Sequence, residues 1–196
     1  EEAATFLRSA LKNSRSYLGD NHPTTIRLTS NLAVVLKLLG EIEEAEAMYM
    51  EALERGRVTN GDNHSTTMTT LNNLGMLLWS TGRLEEAETY FIEALEGRRR
   101  LLGDAHPDTV HTMMFLGDLY ADMCQMQGKV DRFAEAETLL LEALDHTENR
   151  YGPSAPQAMD ITSKMVELLS HEIVHQPGKG HEERLEEWKA KLEKGG

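Results

Sequence analysis

The sequence predicts an all-α chain, a right-handed superhelical solenoid of antiparallel helix pairs. Three observations predict it. Shifting the sequence by 42 residues brings Gly19, Gly61 and Gly103 into register, followed by His22, His64 and His106, then Thr25, Thr67 and Thr109. Within each copy, apolar residues recur at three- and four-residue steps, the period of a helix and not of a strand. Pro23 and Pro107 stand where such stretches begin and Gly40 where one ends, the positions at which proline starts a helix and glycine stops one.

Residues 1–21 form half a repeat, a single helix B marked by Ala3, Ala10 and Leu11. Residues 22–63 are the first full repeat and 64–105 the second. Residues 106–154 are the third, with seven extra residues around "ADMCQMQGKVDRF". Residues 155–196 are a degenerate fourth copy that closes on a polar capping helix. In each full copy helix A opens at a motif such as "HPTT" or "HPDT", with proline at the first helical position, where its missing N–H costs nothing. Its stripe in the first copy is Leu28, Leu32, Val35, Leu36 and Leu39, and Gly40, Gly82 and Gly128 are expected to end the three A helices. Helix B follows at once, as "EIEEAEAMYMEAL", "RLEEAETYFIEAL" or "RFAEAETLLLEAL". Acidic residues in its first turn suit the helix dipole. Two alanines seven apart fall on one face, where a neighbouring helix can approach closely. The chain opens inside a helix-B pattern without an initiator Met, so it reads as a piece of a longer protein whose first helix lacks its own partner.

A formal charge of -13 and a pI near 5.0 argue against nucleic-acid or anionic-membrane surfaces, which reward a basic stripe, and point to protein partners. The single Cys124 precludes an internal disulfide framework and makes a reducing, cytoplasmic compartment the expectation. The most apolar run, "NLAVVLKLLG", falls far short of the roughly 20 residues of a membrane span. No cofactor is expected. The acidic runs of the B helices read as a solvated outer face.

Leu71, Leu74, Gly75, Leu78, Ala87, Phe91 and Ala94 stand at the spacing of the tetratricopeptide signature. With "LGDxHPxT" and "NNLGxLL...GRLEEAE" at a 42-residue period, the chain resembles the long-repeat tetratricopeptide proteins of the kinesin light chain type, strongly over residues 1–155 and weakly beyond. The resemblance implies an adaptor that binds a peptide in a groove lined by the A helices. In that frame the inward residues are Arg27, Ser30, Asn31, Val34 and Lys37; Thr69, Asn72, Asn73, Met76, Trp79 and Ser80; His111, Met114, Phe115, Asp118 and Asp122; and Asp160, Lys164, Glu167 and His171. It also implies that Asn31 and Asn73 contact the peptide backbone, because an amide offers both donor and acceptor. Phe115 and Lys164 depart from that pattern, and the family's groove arginine is matched by Arg98 but not by Ser14 or Gly56. Trp79 is read either as an aromatic anchor for a partner or as packing between A helices. Met113, Met114, Met123 and Met126 suggest a surface able to repack, or core. Arg27 and Lys37 against Asp118, Asp122, Asp160 and Glu167 predict that the acidic end of a ligand lies toward the first repeats.

One motif stands apart. "HEIVHQPGKGH", from His171 to His181, matches the zinc-peptidase pattern, with His171, His175 and His181 as candidate ligands and Glu172 as candidate base. In the repeat frame it is instead the end of a helix A, a Pro-Gly turn and the start of the capping helix. The periodic His22, His64 and His106 cannot share a metal: equivalent positions lie a repeat apart, about 8–10 Å or more, whereas zinc needs its nitrogens at about 2 Å. Three readings follow: a peptide-binding adaptor module, a structural or regulatory array within a larger signalling protein in which self-association matters more, and, last, a zinc metallopeptidase.

Overall fold

A computed structural model describes residues 1–62, 64–175 and 180–195. The described residues form helices and turns with no strand. The helices are α1 (Glu2–Leu18), α2 (Pro23–Leu39), α3 (Ile42–Asn60), α4 (Ser65–Ser80), α5 (Leu84–Leu102), α6 (Pro107–Gln127), α7 (Arg132–Tyr151), α8 (Pro156–His175) and α9 (His181–Gly195). No helix among these residues is long and apolar enough to cross a membrane. Contacts gather the chain into two compact units, Glu1–Leu101 and Leu102–Gly196.

The recurring His and Thr have a structural task that sequence reading placed only loosely. Each histidine is the N-cap of a helix A. The Nδ1 atoms of His22, His64 and His106 accept the backbone N–H of Thr24, Thr66 and Asp108 at 3.2, 3.3 and 3.2 Å. One of the orphan donors at the helix start is thereby satisfied. Three residues on, the hydroxyls of Thr25, Thr67 and Thr109 donate to the carbonyls of Gly19, Gly61 and Gly103 at 2.8, 3.1 and 2.9 Å. Cap and tie fix the turn between a helix B and the next helix A. Replacing His64 by Ala is expected to cost about 1 kcal/mol of stability and His64→Asp to restore it. Urea unfolding monitored by circular dichroism measures both, and an unchanged midpoint for His64→Ala would show the cap to be idle.

At the other end of helix A, Gly40 takes the left-handed conformation (φ 81°, ψ 7°) that residues with a Cβ avoid, so that the Glu41 N–H reaches back to the Leu36 carbonyl at 3.0 Å. The same reach, Arg83 to Leu78 at 3.0 Å, closes α4, whose cap residue is Thr81 with Gly82 one place beyond. The seven-residue insertion is absorbed mainly by helix: α6 has 21 residues against 17 in α2, and the rest lengthens the link to α7 and α7 itself.

Unit 1 is built from α1 to α5. Ala45 and Ala52 of α3 and Ala87 and Ala94 of α5 are almost completely buried, as their seven-residue spacing predicts. In α2 the core is Ile26, Leu32, Ala33 and Leu36, whereas Leu39, assigned to the stripe from sequence, is 38% exposed. Phe91 of α5 is an aromatic ring with no exposed surface. It lies against Gly75 of α4, where an added Cβ would approach the ring to 3.0 Å, and it meets Trp79 edge-on at 6.3 Å between centroids. Gly75 is thus small because an aromatic ring occupies the space a side chain would take. Consecutive B helices are linked on their outer side by arginine–glutamate pairs at a constant separation: Arg8 to Glu44 (2.6 Å), Arg15 to Glu51 (2.8 Å) and Arg57 to Glu93. The acidic face expected to be merely solvated is therefore partly paired.

Unit 2 is built from α6 to α9. Met113 and Met123, read from sequence as either a plastic surface or core, have no exposed area and belong to the core; Met126 is 69% exposed. They alternate with Leu116, Leu119 and Tyr120 at helical spacing, which turns both toward α7 and α8. Leu185, Trp188 and Leu192 of α9 are half-buried, as a capping stripe should be. That helix is also fastened electrostatically: Arg184 pairs with Glu137, and Lys191 with Glu148 at 2.8 Å.

Candidate functional site

Consecutive A helices lie side by side in each unit, α2 against α4 and α6 against α8. In unit 1 this creates a cleft of about 230 Å³ lined by Ile26, Arg27, Ser30 and Asn31 of α2 and by Ser65, Thr66, Thr69 and Thr70 of α4. Three of the residues expected in the groove, Arg27, Asn31 and Thr69, are thereby brought together, and all are exposed. Hydroxyls form much of the wall. The exposed Thr69 and the buried Thr70 donate to the carbonyls of Ser65 and Thr66 at 2.9 Å each. Most arginines of the chain are engaged by carboxylates, yet Arg27 has no such partner among the described residues. A cationic group held in a polar cleft without a counter-ion is suited to an acidic or carbonyl-rich ligand.

The other expected groove residues are distributed differently. Asn73, Met76 and Trp79 are half-buried along α4, and Lys37 is half-buried near the end of α2. Asn72 is only 6% exposed, with its amide 3.8 Å from Met76 Sδ one turn along α4. Arg98 is 7% exposed in α5. At the equivalent positions of the earlier copies, Ser14 is bonded to Thr25 at 2.7 Å, and Gly56 sits beside the hydroxyl of Thr67, so in those two copies the position packs against the turn threonine of the following repeat. Trp79 meets the ring of Phe91 of α5 edge-on.

In unit 2, His111 is exposed and Phe115 half-buried on α6. Lys164, which departs from the Asn ladder, makes an ion pair of 2.6 Å with Asp118 across α6 and α8. Burial pushes the Asp118 carboxyl above the usual range, although the Lys164 ammonium draws it down. Burial draws Lys164 down in turn, but the hydrogen bond to Asp118 together with the attraction of Asp118, Asp160 and Glu167 outweighs it, and the amine stays raised. The acidic end inferred from charge counting is thus partly neutralised inside the protein.

The zinc-peptidase candidates do not gather on one point. His171 Nδ1 is bonded to the Gln125 amide, and His175 Nδ1 lies 2.9 Å from the His171 carbonyl with its ring against Phe133. His181 Nδ1 lies 3.1 Å from Glu172, the candidate base. Among the described residues, no three His, Cys, Asp or Glu side chains form a group able to hold a metal. Gln176, Pro177, Gly178 and Lys179 of the motif lie outside the described residues. Sequence reading missed a buried thiol as well: Cys124 has no exposed surface and donates to the Lys129 carbonyl at 3.1 Å, and burial pushes it up to about 11. It is a core residue rather than a nucleophile.

Two family models described as tetratricopeptide repeat match residues 1–58 and 67–108, together more than half of the chain. The chain belongs to the tetratricopeptide repeat family. Among solved structures, this tetratricopeptide protein is similar to a Podosopora anserina protein described as a candidate kinesin light chain with nearly identical repeats. The identity is 16%, the TM-score 0.80, and the match covers 99% of this chain and 85% of that one. BtubC (BKLC) from P. vanneervenii is similar at 23% identity and a TM-score of 0.75, over 98% of this chain and 74% of that one. A singly substituted form of the Podosopora anserina protein gives 17% and 0.77, over 98% and 88%. At these identities the likeness is one of fold, the tetratricopeptide fold in its kinesin light chain-like form. No curated protein matches the chain in sequence. Tetratricopeptide repeats mediate protein–protein interaction, and their fold is typically a scaffold rather than an enzyme.

Proposed function

We propose that this tetratricopeptide protein is an adaptor module that holds an extended segment of a partner protein along the exposed faces of its A helices. Arg27, Asn31 and Thr69 of unit 1 supply the first polar contacts, with Asn73, Met76 and Trp79 continuing along α4. The observation that carries this reading is the cleft between α2 and α4, where the expected groove residues converge and Arg27 lacks a counter-ion. An extended segment presents unpaired backbone N–H and C=O groups, which the Asn31 amide can satisfy in both senses. Likeness of fold to a protein described as a candidate kinesin light chain supports an adaptor role. In this reading Asn72 and Arg98, 6% and 7% exposed, make no first contact with the partner.

Fluorescent peptide arrays, followed by titration of the best peptides, test the proposal. Asn31→Ala is expected to weaken binding roughly 3- to 10-fold, the equivalent of one or two net hydrogen bonds. Arg27→Ala is expected to weaken it comparably and to flatten its dependence on salt. Binding that both substitutions leave unchanged would instead favour a structural or regulatory array working through other surfaces.

A further inference from the structure

We infer that unit 2 carries a separate binding site for a phosphate ester on an aromatic group, such as a phosphotyrosine presented by a partner polypeptide. The site is a cleft of about 120 Å³ formed by the start of α6, the end of α7 and the start of α8. Three cation-capable side chains line it: His111 of α6, and His146 and Arg150, one turn apart on α7. Tyr151, 49% exposed, and the apolar Pro107, Val110 and Met114 complete the wall.

The repeat itself marks these residues as special. Every repeat must solve the same packing problem, so positions that serve the scaffold recur, as the histidine caps and the turn threonines do. The α7 residues break the pattern. In the preceding copies His146 is replaced by Gly97 and Arg55, Arg150 by Leu101 and Thr59, and Tyr151 by Leu102 and Asn60. Packing therefore does not demand a histidine, an arginine and a tyrosine there. Arg150 has no carboxylate partner among the described residues; its guanidinium lies over the Tyr151 ring at 5.4 Å. It is thus oriented by an aromatic face and retains its donors for a ligand. His146 Nε2 is 3.9 Å from Glu142 Oε1, one turn back on the same helix. In a chain of formal charge -13, such a cleft is a local exception that attracts an anion.

Ligand chemistry follows from the donor count. Donors approach from two helices and from two successive turns of one of them, which fits the three oxygens of a phosphate better than the two of a carboxylate. The apolar wall and the Tyr151 ring suit an aromatic body behind the phosphate. This site stands independently of the cleft in unit 1.

The test is NMR titration of the full chain with phenyl phosphate, benzoate and inorganic phosphate, and then with a phosphotyrosine peptide and its unphosphorylated form. Phenyl phosphate is expected to shift the Val110 and Met114 methyl signals saturably. It should bind at least 5-fold more tightly than benzoate or inorganic phosphate, and the phosphotyrosine peptide should compete with it. Arg150→Gln should weaken binding about 10-fold or more, His111→Gln less, and Arg27→Gln in unit 1 not at all. Equal binding of benzoate, equal binding of inorganic phosphate, or indifference to Arg150→Gln would each overturn the inference. So would a preference for the unphosphorylated peptide, or a loss in Arg27→Gln as large as in Arg150→Gln.

Discussion

Phe91→Ala is expected to destabilise the protein by about 3–5 kcal/mol, because it empties a site in unit 1 that has no exposed surface. Gly75 cannot fill the void and the Trp79 ring loses the edge it rests on. A loss of that size corresponds to roughly 6–20 °C in Tm for a chain of this length. Trp79 fluorescence should move toward that of an exposed indole before global unfolding. Phe6→Ala is the comparison: Phe6 is 73% exposed on α1, and its removal should alter stability by no more than about 0.5 kcal/mol. Differential scanning calorimetry reads both. A Phe91→Ala penalty below about 1 kcal/mol would mean that the hairpin formed by α4 and α5 is not organised around this ring.

Lys164→Met is the second substitution expected to act strongly. It leaves Asp118 desolvated beside Asp122 and Asp160 with no cation to offset it. Breaking a fully buried pair costs about 3–5 kcal/mol, but both side chains here retain some exposure, so about 1–3 kcal/mol is expected. Adding Asp118→Asn should recover most of the loss, since removing both charges abolishes the desolvation cost that either bears alone. The pH dependence has a definite sign. Asp118 is a carboxylate whose folded value is raised, so the folded state binds its proton more tightly than the unfolded chain does. Its contribution to stability is fully present below the unfolded value and is lost as pH rises through the raised folded one. The Lys164→Met penalty should therefore be larger at pH 7 than near pH 4, as urea unfolding at the two pH values would measure. An equal penalty at both would show that Asp118 is not the group responsible.

Repetition made the fold legible. Where Ala45, Ala87 and Ala136 recur with Ala52, Ala94 and Ala143, the same close helix contact recurs, and no long-range inference was required. What remained hidden depends on the rotation of each helix about its own axis, which a periodic pattern fixes only to within a residue or so. Asn72 and Asn73 are neighbours in sequence, yet one is buried and the other half-buried on the face of α4. Met113 and Met123 are readable from sequence as either plastic surface or core, because methionine suits both settings; their complete burial decides for the core. Two features were readable but unread. Arg15 and Arg57 recur with Glu51 and Glu93 at the same 42-residue period, which announces a charge link between adjacent B helices. The histidine before each helix A stands where an N-cap belongs, although histidine is not among the usual capping residues. The cleft of unit 2 lay beyond pattern reading because the residues that mark it, His146, Arg150 and Tyr151, do not repeat.

Site-directed photo-crosslinking tests the central claim, that the exposed faces of neighbouring A helices are the working surface. A photoreactive residue is placed at Thr69, in the cleft between α2 and α4, or at Thr89, exposed on the outer side of α5, and the protein is irradiated with peptides selected for binding to the unmodified chain. The account predicts efficient crosslinking from position 69, abolished by excess unlabelled peptide, and little from position 89. Crosslinking from position 89 with none from position 69 would contradict it.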